Sequence, residues 1–241
     1  MNLENANFGK IQDWEKILKS KHEQFRNSSL SLDLTRGKPS KEQLDLSDEM
    51  FNYPKKMLAF NEESDLRNYG GIDGIAAARR LGGEILGLNE SEVISSDNSS
   101  LTLMYLYVLH AFYHGAQGPK TAWVNDEDVK FIALVPGYDR HFSICEALGI
   151  KMINVKIEDY GPDMETVEEL VRTDPSIKGM WCVPKYSNPT GITYSNDVVE
   201  RIAALGKIAS KNFRIMWDNA YSVHDLSETP QELANVMNFC K

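Results

Sequence analysis

Asp218 is the residue on which chemistry would turn. It follows Phe213-Arg214-Ile215-Met216-Trp217, a short and mostly apolar run of the kind that forms a buried strand. A carboxylate at that point has two uses. It can face the crevice at the carboxyl ends of parallel strands, where ligands sit, or it can cap the turn that follows. Other polar groups recur in comparable places. Tyr221 lies three residues on, and Asn188 sits in Asn188-Pro189-Thr190-Gly191, on the loop after the apolar run Ile177 to Val183. Tyr138 and His141 follow Pro136-Gly137 at the end of the apolar run Lys130 to Val135. Read alone, Tyr138 is an ordinary half-buried aromatic and His141 a surface histidine. Asp97-Asn98-Ser99-Ser100 opens the long apolar run Leu101 to Leu109. Ser100 there is either a helix N-cap or part of an anion site, because free N–H groups and the helix dipole both face a ligand at such an end.

The elements that must carry these groups alternate. Helix is expected over residues 10–27, 75–88, 101–109, 142–148, 163–171 and 195–211, and strand over 130–135, 151–157, 177–183 and 213–217. Such alternation predicts an α/β fold, a largely parallel sheet with right-handed crossovers and helices on both faces. Ile11, Trp14, Ile17, Leu18 and Phe25 place an apolar stripe on the first helix. Leu32 to Leu34 reads as a short strand broken by Gly37 and Pro39, followed by a capping box at Ser40 and Gln43. Asn89 and Glu92 form a second capping pair, and Gly87 ends the helix before it.

Composition narrows the function. With 241 residues and a net charge of −9, the chain can bury a substantial core but lacks the basic footprint of a nucleic-acid or anionic-membrane binder. Cys145, Cys182 and Cys240 show no metal-site spacing, which fits a reducing, cytoplasmic setting, and no metal is expected. No apolar run reaches the roughly 18 residues of a membrane span, and Met1 to Lys10 has no apolar signal core. Gly70-Gly71-Ile72-Asp73-Gly74 fails as a dinucleotide fingerprint, since the residues before it are polar and the spacing differs.

Asn188-Pro189-Thr190-Gly191 together with Asp218-x-x-Tyr221 resembles the ring-binding motifs of the class I, fold type I aminotransferases that use pyridoxal 5'-phosphate (PLP). Asn68-Tyr69-x-x-Ile72-Asp73-Gly74-Ile75 and the Tyr138 and His141 pair are similar to the aspartate-aminotransferase-like subgroup. The resemblance implies the three-layer large domain of that fold. It implies that Asp218 pairs with the pyridine nitrogen, that Asn188 and Tyr221 hold the ring's phenolic oxygen, and that Tyr138 lies flat on the ring with His141 behind Asp218. Ser99, Ser100 and Leu101 fall where the family binds the cofactor phosphate. Tyr69 falls where a tyrosine reaches the phosphate of a neighbouring subunit, so a homodimer with composite sites is implied. Gly37 would stand at the substrate's edge, with Asn188.

The resemblance runs from about Leu32 to Tyr221. Residues 1–50 would then be an N-terminal arm and part of a small domain, and 51–241 an incomplete PLP-binding large domain. In the family, the lysine that forms the Schiff base lies beyond the position of Lys241, as does a C-terminal small domain with the substrate-carboxylate arginine. Lys185, Lys207, Lys211 and Lys241 all stand elsewhere. The expectation is an N-terminal part of an enzyme that exchanges an L-amino acid, aspartate first, with a 2-oxo acid such as 2-oxoglutarate; the 241 residues alone would be inactive. A β-lyase or decarboxylase on the same fold, and a non-catalytic effector or binding domain, are the alternatives.

Overall fold

In the computed structural model, residues 6–31, 37–52, 68–225 and 227–240 are described. The chain divides into two compact units, Met1–Ala59 and Phe60–Lys241. The first contains α1 (Phe8–Asn27) and α2 (Lys41–Asp45). The second contains α3 (Ala76–Leu86), α4 (Ser100–Tyr113), β1 (Lys130–Val135), α5 (Asp139–Ala147), β2 (Lys151–Glu158), β3 (Gly161–Pro162), α6 (Met164–Thr173), β4 (Ile177–Cys182), α7 (Asn196–Ala204) and β5 (Arg214–Trp217).

Strand sequence accounts for strand position. β4 is buried at every residue and β1 at all four central ones, the pattern of strands covered on both faces. They lie inside the sheet, whose order is β3-β2-β1-β4-β5. All neighbours pair in parallel except β3, which pairs antiparallel with the end of β2 through Ile157–Pro162 and Glu158–Gly161. That two-residue edge strand is too short to leave a periodic trace in the sequence.

Alternation along the strands feeds two cores. Ile132 and Leu134 of β1 and Met180 and Cys182 of β4 point to the face covered by α6 and α7, where they meet Val167, Val171, Val199 and Ile202. Phe131, Trp181 and Met216 point to the other face, against Val108 and Ala111 of α4 and Ile144 and Cys145 of α5. A fully buried side chain of this size contributes about 1.5–3 kcal/mol, so both faces are anchored by burial. Gly179 is required here: a Cβ would run into the ring of Phe131, its partner across the strands.

Several boundaries differ from the sequence expectation, among them the start of α5, which lies at Asp139 and not at 142. α4 begins one residue earlier and runs to Tyr113, with Ser99 rather than Ser100 as its N-cap. α7 stops at Ala204, and a 3-10 turn at Leu205–Lys207 follows because the Leu205 carbonyl takes the N–H groups of both Ile208 and Ala209. α1 starts at Phe8 on an Asn7 cap, and none of its residues is buried; Ile11, Ile17, Leu18 and Phe25 are exposed within the described residues. The strand expected at Leu32 to Leu34 lies outside the described residues. Both capping pairs form, Ser40 with Gln43 and Asn89 with Glu92, and α3 ends on Gly87 in the left-handed region.

Candidate active site

β1 has β2 on one side and β4 on the other, so the strand order reverses between β1 and β4. At such a switch point the loops leaving the two strands diverge and open a crevice at the carboxyl ends. A cleft of about 330 Å³ lies there, lined by Asn98, Ser99, Ser100, Leu101, Tyr138, Val183, Asn188, Asp218, Ala220 and Tyr221. Seven residues singled out from the sequence are thus gathered on one cavity, from four separate segments.

Each segment is fixed locally. Asp218 continues the ladder beyond β5, its N–H bonding the Cys182 carbonyl at 2.8 Å. Tyr138 is the N-cap of α5 and is set by Gly137, where a Cβ would collide with the Leu134 carbonyl and the Phe142 ring. The loop after β4 closes on itself through Ser187 N–H to Ile192 carbonyl, 2.8 Å, and Tyr194 N–H to Pro184 carbonyl, 2.9 Å. Asn188 sits within that closed turn. Ser99 Oγ accepts the Thr102 N–H at 3.2 Å, and the Ser99 carbonyl accepts the Leu103 N–H. The backbone N–H groups of Ser100 and Leu101, the first two residues of α4, have no intrahelical partner, and both residues line the cleft.

Asp218 is only 6% exposed, and a buried carboxylate needs a partner. The partner is His141, whose Nε2 lies 3.0 Å from Oδ2. As the carboxylate is an acceptor, Nε2 carries the proton and donates. His141 is itself buried, on the inner side of α5, and stacks on Trp181 with ring centroids 4.6 Å apart and planes 10° from parallel. Trp181 in turn donates Nε1–H to Cys145 Sγ at 3.2 Å. Tyr138 meets His141 edge to face at 5.1 Å. So His141 lies behind Asp218 rather than on the surface. Burial raises the Cys145 thiol to about 11, which leaves it an acceptor for the indole and not a nucleophile.

Two groups of the second unit do not line the cleft, and one expected site residue belongs to the first unit. Tyr69 is fully exposed and touches none of the cleft. Gly37 is exposed in the unit formed by Met1–Ala59. Lys185, the lysine nearest Asn188 in sequence, is buried beside the cleft but does not line it. Its Nζ lies 2.8 Å from Asp225 Oδ1, which holds the ammonium charged above its ordinary range.

The donor set suits PLP. A buried acid, two side chains able to reach a ring oxygen, an aromatic wall and a helix N-terminus with two free N–H groups line one cavity, and its volume falls in the range of small-ligand sites. Asn98, Val183 and Ala220 also line it and were not foreseen, being neither charged nor aromatic. Trp181 escaped notice for another reason: in a strand buried on both faces, alternation does not tell which side chain will meet a histidine.

Known proteins of similar sequence and fold are aminotransferases. The family model for aspartate aminotransferases matches residues 8–241. An aspartate aminotransferase of Corynebacterium glutamicum is 42% identical over 238 residues, 98% of this chain and 55% of its own length. The crystal structure of an aspartate transaminase from that species superposes with a TM-score of 0.87 at 41% identity, covering all of this chain and 56% of that one. The α-aminoadipate aminotransferase of Thermus thermophilus, solved with N-(5'-phosphopyridoxyl)-L-leucine, shares the fold at a TM-score of 0.56 and 19% identity, over 76% of this chain and 42% of its own. This chain spans about half the length of the relatives it matches. With its parallel sheet, its switch-point cleft and a family match over nearly its whole length, the chain belongs to the aspartate aminotransferase family.

Proposed function

We propose that this chain is the cofactor-binding portion of a PLP-dependent aminotransferase that moves the amino group of an L-amino acid, aspartate first, to a 2-oxo acid such as 2-oxoglutarate. The observation that carries the reading is the buried pair at the cleft, Asp218 aimed by His141 at 3.0 Å into a cavity walled by Tyr138, Asn188 and Tyr221. PLP, when bound, supplies the electron sink for the bond that breaks at the substrate's Cα. The residues supply orientation and charge. Asp218 holds a proton on the ring nitrogen, and His141, by donating to the other side of the carboxylate, keeps it from turning away. Asn188 and Tyr221 hydrogen-bond the ring's phenolic oxygen, and Asn188 also meets the substrate. Tyr138 covers one face of the ring and excludes water from it. Ser99 and Ser100 donate their hydroxyl protons, and Ser100 and Leu101 their N–H groups, to the phosphate; the dipole of α4 adds about 0.3–2 kcal/mol.

Tyr69, fully exposed, is assigned to the phosphate site of a second copy, which makes the active enzyme a homodimer. Gly37 is assigned to the substrate's edge. Three free thiols suit a cytoplasmic enzyme. None of the described lysines lines the cleft, so the 241 residues alone are expected to bind PLP without turnover. The test is an assay of the whole protein with L-aspartate and 2-oxoglutarate, following oxaloacetate and glutamate. Equal yields of the two products support the reading. Release of pyruvate or ammonia, or of a decarboxylated amine, with no glutamate would replace it with a lyase or a decarboxylase.

A further inference from the structure

We infer that Lys185 and Asp225 form a clasp that sets the distance between the two loops gripping the ring, so that Lys185 is a positioning residue and not a reactive amine. The inference rests on the cofactor reading of the cleft. Asn188 is carried by the loop after β4, and Asp218 and Tyr221 by the loop after β5. At their roots the two loops are joined by the strand pair Cys182–Trp217 and by the Asp218 N–H bond to the Cys182 carbonyl. Farther out, the link is Asp225. Its Oδ1 lies 2.8 Å from Lys185 Nζ and accepts the Tyr186 hydroxyl, also at 2.8 Å. A single carboxylate oxygen from one loop thus takes two bonds from consecutive residues of the other.

The energetics make this junction selective. The Lys185 side chain is 8% exposed, whereas Asp225 is open to solvent. A buried ammonium left without its counter-charge is costly, so Lys185 draws Asp225 to it and not the reverse. Asn188 stands three residues after Lys185 in a turn closed by its own hydrogen bonds, and Tyr221 four before Asp225. Releasing the clasp therefore moves both ring-oxygen ligands relative to each other while leaving Asp218, tied to β4 and to His141, in place.

The experiment uses the full 241-residue chain and PLP. Amide hydrogen exchange is followed in peptides covering residues 186–192 and 219–225, and PLP affinity is measured by titration, for the wild type, Lys185→Met, Asp225→Ala and Asp225→Glu. Asp225→Ala should speed exchange in the loop after β4, and Lys185→Met in the loop after β5. Each should weaken PLP about tenfold, the scale for groups that orient a ligand's direct partners. Asp225→Glu, which keeps the charge at an exposed position, should retain both properties. Loosening confined to the mutated loop would overturn the clasp, and reciprocal loosening with unchanged PLP affinity would overturn its positioning role. A wild-type chain that takes up no PLP would instead defeat the cofactor reading on which the inference stands. Reduction of a PLP adduct onto Lys185 would make it a reactive amine and overturn the assignment.

Discussion

The two ends of the sheet carry similar residues and use them differently. At the amino ends, Lys130 opens β1, Lys151 opens β2 and Lys178 is second in β4. Each meets an acid from the preceding loops: Lys130 with Asp174 at 2.9 Å and Asp128 at 3.2 Å, Lys151 with Asp128 at 2.8 Å, Lys178 with Asp126 at 3.2 Å. Each of these three lysines is answered by an opposite charge, while Arg214 at the start of β5 bonds the Tyr107 hydroxyl and the Phe213 carbonyl instead. At the carboxyl ends, Asp218 is answered by an imidazole, and its other side faces a cleft with no lysine on it. Charge paired to charge stabilises and is finished. An acid oriented by an imidazole still has a charge to offer to a ligand.

Mutation should separate the two ends cleanly. Asp218→Ala in the whole protein should lower transamination about a thousandfold or more, the scale for removing a preorganised charge contact, with the circular dichroism of the folded state retained. A variant keeping most of its rate would erase the distinction. His141→Leu should come next, with kcat down about 10–100-fold, because the acid remains but is no longer aimed. If its rate matches that of wild type, His141 is only packing against Trp181.

Smaller effects belong to the phosphate end of the cleft. Ser100→Ala should weaken PLP several-fold with unchanged thermal stability. Ser99→Ala should do the same and also destabilise the fold by about 1 kcal/mol, since it removes the α4 cap. Equal stability losses in the two variants would contradict the observed cap.

The smallest effect on chemistry should come from the amino end. Asp174 is held down to about 2 by Lys130, then by Ser176. A carboxyl whose folded value is depressed adds stability above its unfolded value near 4, and that stability is lost as pH falls through about 2. Asp174→Asn should therefore lower Tm by about 2–4 °C at neutral pH. The difference from wild type should shrink toward pH 2, shrink with salt, and leave PLP affinity unchanged. A pH-independent loss would mean that the Asp174 bonds to Ser176, and not its charge, are what matters.

Most of this geography could be read from the chain before any coordinates. Apolar runs ending in polar residues located the strand ends, and the family motifs identified which polar residues share a site. Asp218, Tyr138, Asn188, Tyr221 and Ser99 to Leu101 do line one cleft, and His141 does sit behind the acid. Contacts made through side chains of unremarkable position were not legible. Trp181 beneath His141 is one residue among six buried in β4, and the Lys185 bond to Asp225 spans 40 positions with no motif at either end. β3 was missed because two residues carry no period, and α7 was overrun because helix propensity does not register a carbonyl shared by two N–H groups.

The central claim is that Asp218 meets the cofactor's ring nitrogen. Nitrogen-15 NMR of PLP labelled at that atom, bound to the 241-residue chain, reads the contact directly, since the shift separates protonated from neutral pyridine. The account predicts a protonated ring nitrogen at neutral pH in the wild type and a neutral one in Asp218→Ala. The same protonation state in both chains, with PLP bound in each, would contradict it.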